Sequence, residues 1–209
     1  MRFFRRLSAL GLTLILGACS IFGKHDVAIA PYTVLETVEK FEIRNYPPLL
    51  VAQTRVKGDA DTTSRVGFRR LFDYISGANA TQQSIAMTAP VLQQKPAGEA
   101  IAMTAPVFMA RTNEEQTMSF VLPQGYTLAK APRPTNPEVT LAETSAQKMA
   151  VVTFSGFLSE SNIQEQTQVL KQWLHDRRLK PTGTAMTAGY DPPWTIPLWR
   201  RNEILMPIE

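Results

Sequence analysis

The sequence predicts an α+β domain in which two helices pack on one pseudo-symmetric sheet made from a duplicated ββαββ unit. Segments rich in β-branched and aromatic residues alternate with two segments whose apolar residues recur at helical spacing. Two landmarks also recur at one offset, since Thr153 follows Thr54 by 99 positions and Met186 follows Met87 by the same 99. Repeats of this size usually form a pseudo-symmetric sheet with one helix packed across each half.

The first half predicts strands followed by a helix. The strands are expected at residues 32–38, 41–46 and 49–56, with a later one at 118–123. Between them, Phe68, Leu71, Phe72 and Ile75 occupy positions i, i+3, i+4 and i+7 of a helix expected over residues 61–77. Residues 61–64 offer N-caps, and Gly77 suits a helix C-terminus.

The second half repeats this order. Strands are expected at residues 139–143, 148–156 and 203–208, and the second is apolar on both faces, which predicts a central position. Asn162 with Glu165 resembles a capping box and predicts the start of the second helix. The apolar side of that helix carries Val169, Leu170, Trp173 and Leu174.

One phrase, Ile-Ala-Met-Thr-Ala-Pro-Val, occurs at residues 85–91 and again at residues 101–107, and a shorter copy lies at residues 185–189. Each copy is predicted to be a short strand that ends in a turn at the proline. The copies containing Met87 and Met186 each follow a helix, so we expect them to mark the seams of the duplicated sheet. The copy containing Met103 is expected to extend the first sheet.

Residues 1–18 are predicted to be a signal peptide. Three arginines precede an apolar stretch over residues 7–16 that is too short to span a bilayer comfortably. The sequence Leu-Gly-Ala-Cys that ends at Cys19 resembles the bacterial lipobox, in which the cysteine is acylated. This resemblance implies a bilayer anchor, and Ser20 in place of an aspartate implies the outer membrane, facing the periplasm. The alternative is an ordinary secretory signal with an incidental cysteine.

The remaining chain divides into a tether over residues 19–31 and one domain over residues 32–209. Cys19 is the only cysteine, which excludes an intramolecular disulfide and a cysteine-rich metal site. Three arginines and no acid lie in residues 1–18, so 22 Lys+Arg become 19 against 18 Asp+Glu, a net charge of +1. This near balance removes the main support for nucleic-acid binding.

Three elements together resemble the SOUL haem-binding protein family. They are the repeated phrase, the segment over residues 68–77, and the ending that runs from Tyr-Asp-Pro-Pro-Trp at residues 190–194 to Arg-Arg-Asn-Glu at residues 200–203. The resemblance covers residues 32–208. It implies a distorted antiparallel β-barrel with two helices, similar to gyrase-inhibitor-like domains, which binds haem or another porphyrin.

In that family the ligand lies between the first helix and the loop before the last strand, here residues 65–72 and 190–197. The implied binding residues are Arg65, Phe68, Arg69, Phe72, Tyr190 and Trp194. Aromatic rings would contact the macrocycle and guanidinium groups would pair with the propionates. Arg65 aligns with a basic residue beside the tetrapyrrole in one family member, whereas a lysine in the last loop of that member has no counterpart, because Thr195 and Ile196 stand there. The plainer alternative makes the two phenylalanines core residues and the arginines a solvated helix face.

No strong iron ligand is expected. The two histidines are His25, in the tether, and His175, late in the second helix. Methionines in the repeated phrases are more typical of core filling than of thioether ligation. We therefore expect no metal-ligating residue and a tetrapyrrole bound mainly by burial, without a strong axial histidine.

No motif for an enzyme is present, and no residue is predicted to be catalytic. The leading hypothesis is an envelope lipoprotein that reversibly binds haem or a related tetrapyrrole as a carrier, buffer or sensor. Its expected partners are the tetrapyrrole and, through Cys19, the membrane. The alternative is a structural or interaction lipoprotein of the same fold that binds another apolar ligand or a protein partner and no haem.

Overall fold

The computed structural model describes residues 28–80, 98–112, 115–192 and 194–209. The predicted signal peptide, Cys19, most of the tether and the first copy of the repeated phrase lie outside these residues. The strands are β1 (Ala28–Ile29), β2 (Thr33–Val38), β3 (Phe41–Tyr46), β4 (Leu50–Lys57), β5 (Asn79–Ala80), β6 (Thr104–Thr112), β7 (Glu115–Val121), β8 (Arg133–Pro134), β9 (Val139–Glu143), β10 (Gln147–Phe154), β11 (Met186–Gly189) and β12 (Asn202–Pro207). The helices are α1 (Ala60–Ile75) and α2 (Glu160–Asp176), and a 3-10 turn spans Pro197–Trp199.

The large sheet has the order β2-β3-β10-β12-β11-β6-β7-β4-β9, with β1 added in parallel to β6. The eight strands from β3 to β9 in this order are symmetric: β3-β4-α1-β6-β7 forms one unit and β9-β10-α2-β11-β12 the other, and the units meet where β6 pairs with β11. This confirms the predicted α+β fold and its duplicated ββαββ unit. Among the described residues, the end strands β2 and β9 do not pair with each other.

The sheet curls around a core on the face away from the helices. Side chains of strands far apart in the pairing order, including Tyr46, Val51, Val121, Met149 and Leu205, share one buried cluster there. The helices cover the other face, α1 over β4 and β7, and α2 over β10 and β12. The barrel-like core therefore lies on one side and the helices on the other.

The N-cap of helix α1 lies two residues before the first residue predicted to cap it. The Asp59 side chain accepts from the Thr62 amide at 2.9 Å, so it caps the helix in place of residues 61–64. Gly77 has a φ of +111°, as predicted for a residue after a helix C-terminus. Gly67 lets the helix lie close to β7, since a Cβ there would stand 3.4 Å from the Met118 Cβ.

Helix α2 also begins earlier than predicted. Ser159 is the N-cap and its hydroxyl accepts from the Asn162 amide at 3.3 Å, because a serine with extended backbone directly before the helix outcompetes the later Asn162. Leu170 and Leu174 are buried against β10 and β12. Strand β10 pairs with β3 and β12, which confirms its predicted central position.

Each repeated phrase was predicted to be a strand that stops at its proline, and this prediction is wrong for the second copy. Strand β6 begins at Thr104 and continues past Pro106 to Thr112. The pairing with β7 shifts register between Thr104 and Val107, and a bulge at this point tolerates a proline, which has no amide hydrogen to donate. Strand β11, with Met186, holds the place in its unit that β6 holds in the other, so its counterpart is the second copy, at residues 101–107.

Candidate functional site

A cleft of about 760 Å³ opens between the N-terminal halves of the two helices. Its floor is the centre of the sheet, where the two repeated units meet. Val107 and Met109 of β6, Met118 of β7 and Ile204 of β12 point their side chains to this face. Alternation along each strand places them there, because residues two apart share one side of a sheet.

The walls of the cleft come from the helices. Helix α1 contributes Asp61, Ser64 and Phe68, which are three and four residues apart. The residues from α2 follow the same helical spacing and are Glu160, Ile163, Gln164 and Thr167. The cleft is therefore apolar below and mixed along its walls.

Polar side chains of the cleft are tied to the framework. Gln116 of β7 accepts hydrogen bonds from the Thr63 and Ser64 hydroxyl groups, and this connects the sheet to the first turns of α1. Thr187 of β11 donates to the Met109 carbonyl oxygen at 3.3 Å. Arg111, at the exposed end of β6, donates to the Gly58 carbonyl oxygen at 3.4 Å.

The loop between β11 and β12 closes one end of the cleft through Asp191 and Arg200. The loop is held at its base, where the Arg201 amide donates to Asp191 Oδ2 at 2.6 Å and the Tyr190 amide donates to the Arg201 carbonyl at 3.2 Å. Arg200 Nε donates to the Thr195 carbonyl at 2.8 Å. These bonds give the loop a defined shape.

A buried ionic network lies on the opposite face of the sheet. The fully buried Glu203 carboxylate accepts from Arg44 at 2.8 and 2.9 Å and from Arg201 at 2.7 and 3.0 Å. The Tyr190 hydroxyl donates to the same carboxylate at 2.7 Å. The Arg44 guanidinium also stacks over the Tyr32 ring, 4.3 Å from its centroid.

This environment sets the ionisation of the network. Burial alone would raise the pKa of Glu203, but the hydrogen bonds and charge of Arg44, followed by the charge of Arg201, hold that pKa below its usual value. Burial, followed by the charge of Glu203, raises the pKa of Tyr190 far above its usual value. Glu203 is therefore ionised and Tyr190 is a neutral donor at neutral pH.

A second, smaller cavity of about 240 Å³ also lies on the network's face of the sheet. Its lining is apolar at Leu49, Phe108 and Leu205 and carries neutral hydroxyl groups such as that of Ser119. Met186 contributes to both cavities. The α1–α2 cleft is the larger by about threefold and so is the stronger candidate for a macrocyclic ligand.

The structure brings only part of the predicted site together. Phe68 lines the cleft, and its ring stacks on Phe72 with centroids 5.8 Å apart. Phe72, Arg65 and Arg69 lie on the exposed side of α1 and are not among the residues that line the cleft. The assignment of these residues to a ligand stays a prediction.

The predicted loop residues have different surroundings. Tyr190 points into the buried network on the far face, since its hydroxyl donates to Glu203. Trp194 is strongly exposed and is not part of the cleft lining. The loop itself does border the cleft, through Asp191 and Arg200.

The candidate iron ligands are also dispersed. His175 lies near the C-terminal end of α2, two turns beyond Thr167, and its side chain faces solvent. His25 and Met87 lie outside the described residues. Within the described ranges, no group of three His, Cys, Asp or Glu side chains is placed to hold a metal ion.

Sequence reasoning missed most of the cleft lining. Met109, Arg111, Gln116 and Met118 come from two paired strands, and no local pattern shows that they face a groove. A signal did exist in α2, whose residues Glu160, Ile163, Gln164 and Thr167 follow the spacing i, i+3, i+4 and i+7. That face is too polar to be recognised as a core stripe.

Comparison with known proteins identifies relatives of the whole domain. A family model described as "SOUL heme-binding protein" matches residues 27–207. The protein named "Heme-binding protein 2" from Homo sapiens is 30% identical over 166 residues, which cover 78% of this chain and 76% of that protein. The protein of the same name from Mus musculus is 28% identical over 84% of this chain and 81% of its own length.

Solved structures show the same fold at low identity. The C-terminal domain of EcmrR superposes with a TM-score of 0.56 at 14% identity, over 85% of this chain and 98% of that domain. A protein from Listeria innocua described as a hydrolase gives a TM-score of 0.55 at 11% identity, over 84% of this chain and 94% of that one. These likenesses concern the fold alone.

Proposed function

This chain belongs to the SOUL heme-binding protein family, and on that basis we propose that its α1–α2 cleft binds haem or a related tetrapyrrole reversibly. The observation that carries the proposal is the size and lining of the cleft. A volume of about 760 Å³ lies within the range of roughly 300–1,000 Å³ that is typical of small-molecule sites. An apolar floor with few polar groups is also typical of them.

The cleft lining fits the two chemical parts of a tetrapyrrole. Val107, Met109 and Met118 offer apolar surface to the macrocycle, and the Phe68 ring can contact its face. Arg111 and Arg200 are the cationic side chains among the described lining residues, and guanidinium groups pair well with carboxylates such as propionates.

Binding is proposed to rest on burial of the macrocycle without a strong axial histidine. No histidine is among the described residues that line the cleft, whereas Met109 and Met118 place thioethers there. A bound haem would supply its own iron and redox chemistry. The chain would exclude water from the macrocycle and pair a guanidinium group with a propionate at the rim of the cleft.

The direct test is a haem titration of the mature chain, followed by its Soret band. Ser64→Trp should fill the cleft from α1 and weaken binding at least tenfold, because its new indole occupies the space of the macrocycle. Asp73→Trp is the matched control, since Asp73 is an exposed residue of the same helix outside the cleft lining, and it should leave affinity within about twofold. Equal loss in both variants would place the ligand on the outer face of α1, and no Soret shift at micromolar haem would overturn the proposal.

We further propose that Cys19 is acylated and tethers the domain to the outer membrane, where it faces the periplasm. The support is the basic and apolar segment that precedes Cys19 and the lipobox-like sequence. Mass spectrometry of the chain isolated from membranes should show acyl chains on an N-terminal cysteine. Cys19→Ser should abolish this modification, and its persistence would contradict the assignment. At the periplasmic side of the outer membrane, the domain would act as a carrier, buffer or sensor of its ligand.

One observation favours a second candidate ligand. Three carboxylates, those of Asp61, Glu160 and Asp191, line the cleft against two guanidinium groups. This balance suits an apolar ligand that is neutral or cationic and carries no propionate. Displacement of bound haem by an amphiphilic amine, but not by an amphiphilic carboxylate of equal length, would favour this alternative.

We infer a binding role rather than a catalytic one. The family and the relatives from Homo sapiens and Mus musculus are named for haem binding and not for a reaction. The hydrolase description belongs to a protein that is 11% identical. Absence of turnover when haem and esters are incubated with the chain is the expected result.

A further inference from the structure

Two neighbouring loops expose an unusual amount of apolar surface. In the loop between β11 and β12, Trp194 is 75% exposed, Leu198 77% and Trp199 54%, and Phe157, in the loop before α2, is 60% exposed. We call these four side chains the apolar loop patch. A single exposed apolar side chain is ordinary, whereas a contiguous group of large ones marks an interaction site.

The two loops lie side by side, which brings Phe157 close to the segment around Pro197. The Gly156 amide donates to the Pro197 carbonyl at 2.8 Å, and Asn202 Nδ2 donates to the Gly156 carbonyl at 3.0 Å. The Arg200 guanidinium lies 5.1 Å from the centroid of the Phe157 ring. These contacts hold the patch on a defined framework.

The chain enters the domain at the same end of the sheet as the patch. In the sheet register Ala28 lies opposite Thr104, at the start of β6, and Gly189 at the end of β11 lies opposite Val107. Since β6 and β11 are antiparallel, the loop after Gly189 projects from the end of the sheet at which Ala28 lies. A hydrogen bond of 3.2 Å from Arg201 Nη2 to the Tyr32 hydroxyl joins the two regions.

The distance from the proposed anchor to this end is short. Nine positions separate Cys19 from Ala28. At about 3.3–3.6 Å per residue, even full extension spans only about 30 Å. If Cys19 is acylated as proposed above, the sheet end that carries the patch cannot lie farther than this from the bilayer.

We propose that the apolar loop patch docks on the surface of the lipid bilayer to which the chain is anchored. Trp194 and Trp199 lie at the level of the headgroups, where indole rings are favoured, and Leu198 reaches the acyl region. Leu158, Asp191 and Arg200 of the same two loops line the α1–α2 cleft. Docking therefore holds the cleft beside the membrane, where an apolar ligand is stored and exchanged.

The test uses the acylated mature chain in vesicles of phosphatidylethanolamine and phosphatidylglycerol that contain brominated acyl chains. Three variants each retain one tryptophan and replace the other two by phenylalanine. Trp194 and Trp199 should be quenched at least twofold more strongly than Trp173, which stacks on Phe41 of the sheet. Equal quenching of all three would overturn the proposal.

A second variant removes the patch itself. W173F, W194S and L198S together leave Trp199 as the single tryptophan, and they should abolish most of its quenching. L35S is the matched control, because Leu35 is an exposed apolar residue of β2, outside the patch. Sedimentation of the detergent-solubilised chain tests the competing outcome, in which the patch binds a second copy. A dimer that W194S and L198S dissociate, together with no quenching in vesicles, would establish that outcome and overturn docking on the bilayer.

The outcomes separate this inference from the proposed function. Mass spectrometry of the same preparation reports the acylation of Cys19, and a haem titration reports ligand binding. An acylated chain that binds haem but shows equal quenching overturns the docking surface alone. Loss of acylation or of haem binding overturns the corresponding part of the proposed function.

Discussion

The two faces of the sheet use polar residues in opposite ways. On the core face, Glu203 accepts from Arg44, Arg201 and Tyr190, and together these groups close one region of the curled sheet. On the helix face, the polar groups line an open cleft of about 760 Å³ between α1 and α2. The core face joins its charged groups to one another beside a cavity of only about 240 Å³, whereas the helix face keeps the larger open space.

The difference assigns separate tasks to parts of the chain that the family resemblance groups together. Residues Tyr190 and Glu203 of the C-terminal signature serve the closed face, where they join β12 to β3 and to the loop. The cleft depends instead on β6, β7 and the first turns of both helices. Tyr190 and Glu203 therefore support the fold, whereas Asp191 and Arg200 of the same ending border the cleft.

The largest effect is expected from breaking the closed face. Arg44→Met removes one of the two guanidinium groups that pair with the buried Glu203 carboxylate. The free energy of unfolding should therefore fall by about 3–5 kcal/mol in urea denaturation. Arg70→Met is the matched control, since Arg70 pairs with the exposed Glu138 at 3.5 Å, and should cost less than about 1 kcal/mol. Equal losses would show that the network contributes no special stability.

The same network should make the free energy of unfolding depend on pH. The pKa of Glu203 is lowered in the folded chain, so its contribution to the free energy of unfolding is fully present above the ordinary value of 4.5. That contribution is lost as the pH falls through the lower folded-state pKa. Urea denaturation at a series of pH values should show this loss. Glu203→Gln should be less stable at neutral pH and less dependent on pH below 4.5, whereas parallel curves for the two proteins would contradict the assignment.

A smaller effect on stability is expected on the open face. Phe68 is 40% exposed and Phe120, whose ring centroid lies 5.4 Å away, is 2% exposed. Phe120→Ala should therefore cost about 3–5 kcal/mol, and Phe68→Ala about 1 kcal/mol. Phe68→Ala should nevertheless weaken haem binding several-fold. A stability loss from Phe68→Ala as large as that from Phe120→Ala would place Phe68 in the core instead.

The smallest effect on stability is expected at the rim. Arg111→Gln removes an exposed cation and should change the free energy of unfolding by no more than about 0.5 kcal/mol. If Arg111 pairs with a propionate, haem affinity should fall several-fold and become less sensitive to salt. The dimethyl ester of the same porphyrin is the control, and its affinity should be equal for both proteins.

Local patterns in the sequence were sufficient for most elements of the fold. The spacing of Leu71 and Ile75 and the apolar run of β10 predicted a helix and a central strand that the structure contains. Local reasoning misplaced both helix caps and the strand ends around Pro106. Several residues compete for each cap, and only the folded chain shows that a bulge accommodates the proline.

The site could not be predicted to the same extent, because it depends on contacts between distant residues. Arg44 and Glu203 are separated by 159 positions, and neither lies in a pattern that indicates the other. Phe68 was identified from the resemblance and does line the cleft, but Met109 and Met118 became visible only when β6 and β7 were paired. The family ending also drew attention to Tyr190, whose hydroxyl serves the opposite face.

The symmetric strand order has a consequence for how a ligand lies in the cleft. The pseudo-twofold axis passes between β6 and β11, through the cleft floor, so a flat ligand rotated by half a revolution meets similar strands and the other helix. If the cleft binds a flat tetrapyrrole as proposed, two orientations related by this axis are available, and an exact repeat would make them equal in energy. The two orientations differ in energy because Phe68 of α1 lines the cleft at the position where α2, 99 residues later, has Thr167. An asymmetrically substituted porphyrin should give two sets of NMR resonances of unequal intensity, and Phe68→Thr should bring their populations closer together.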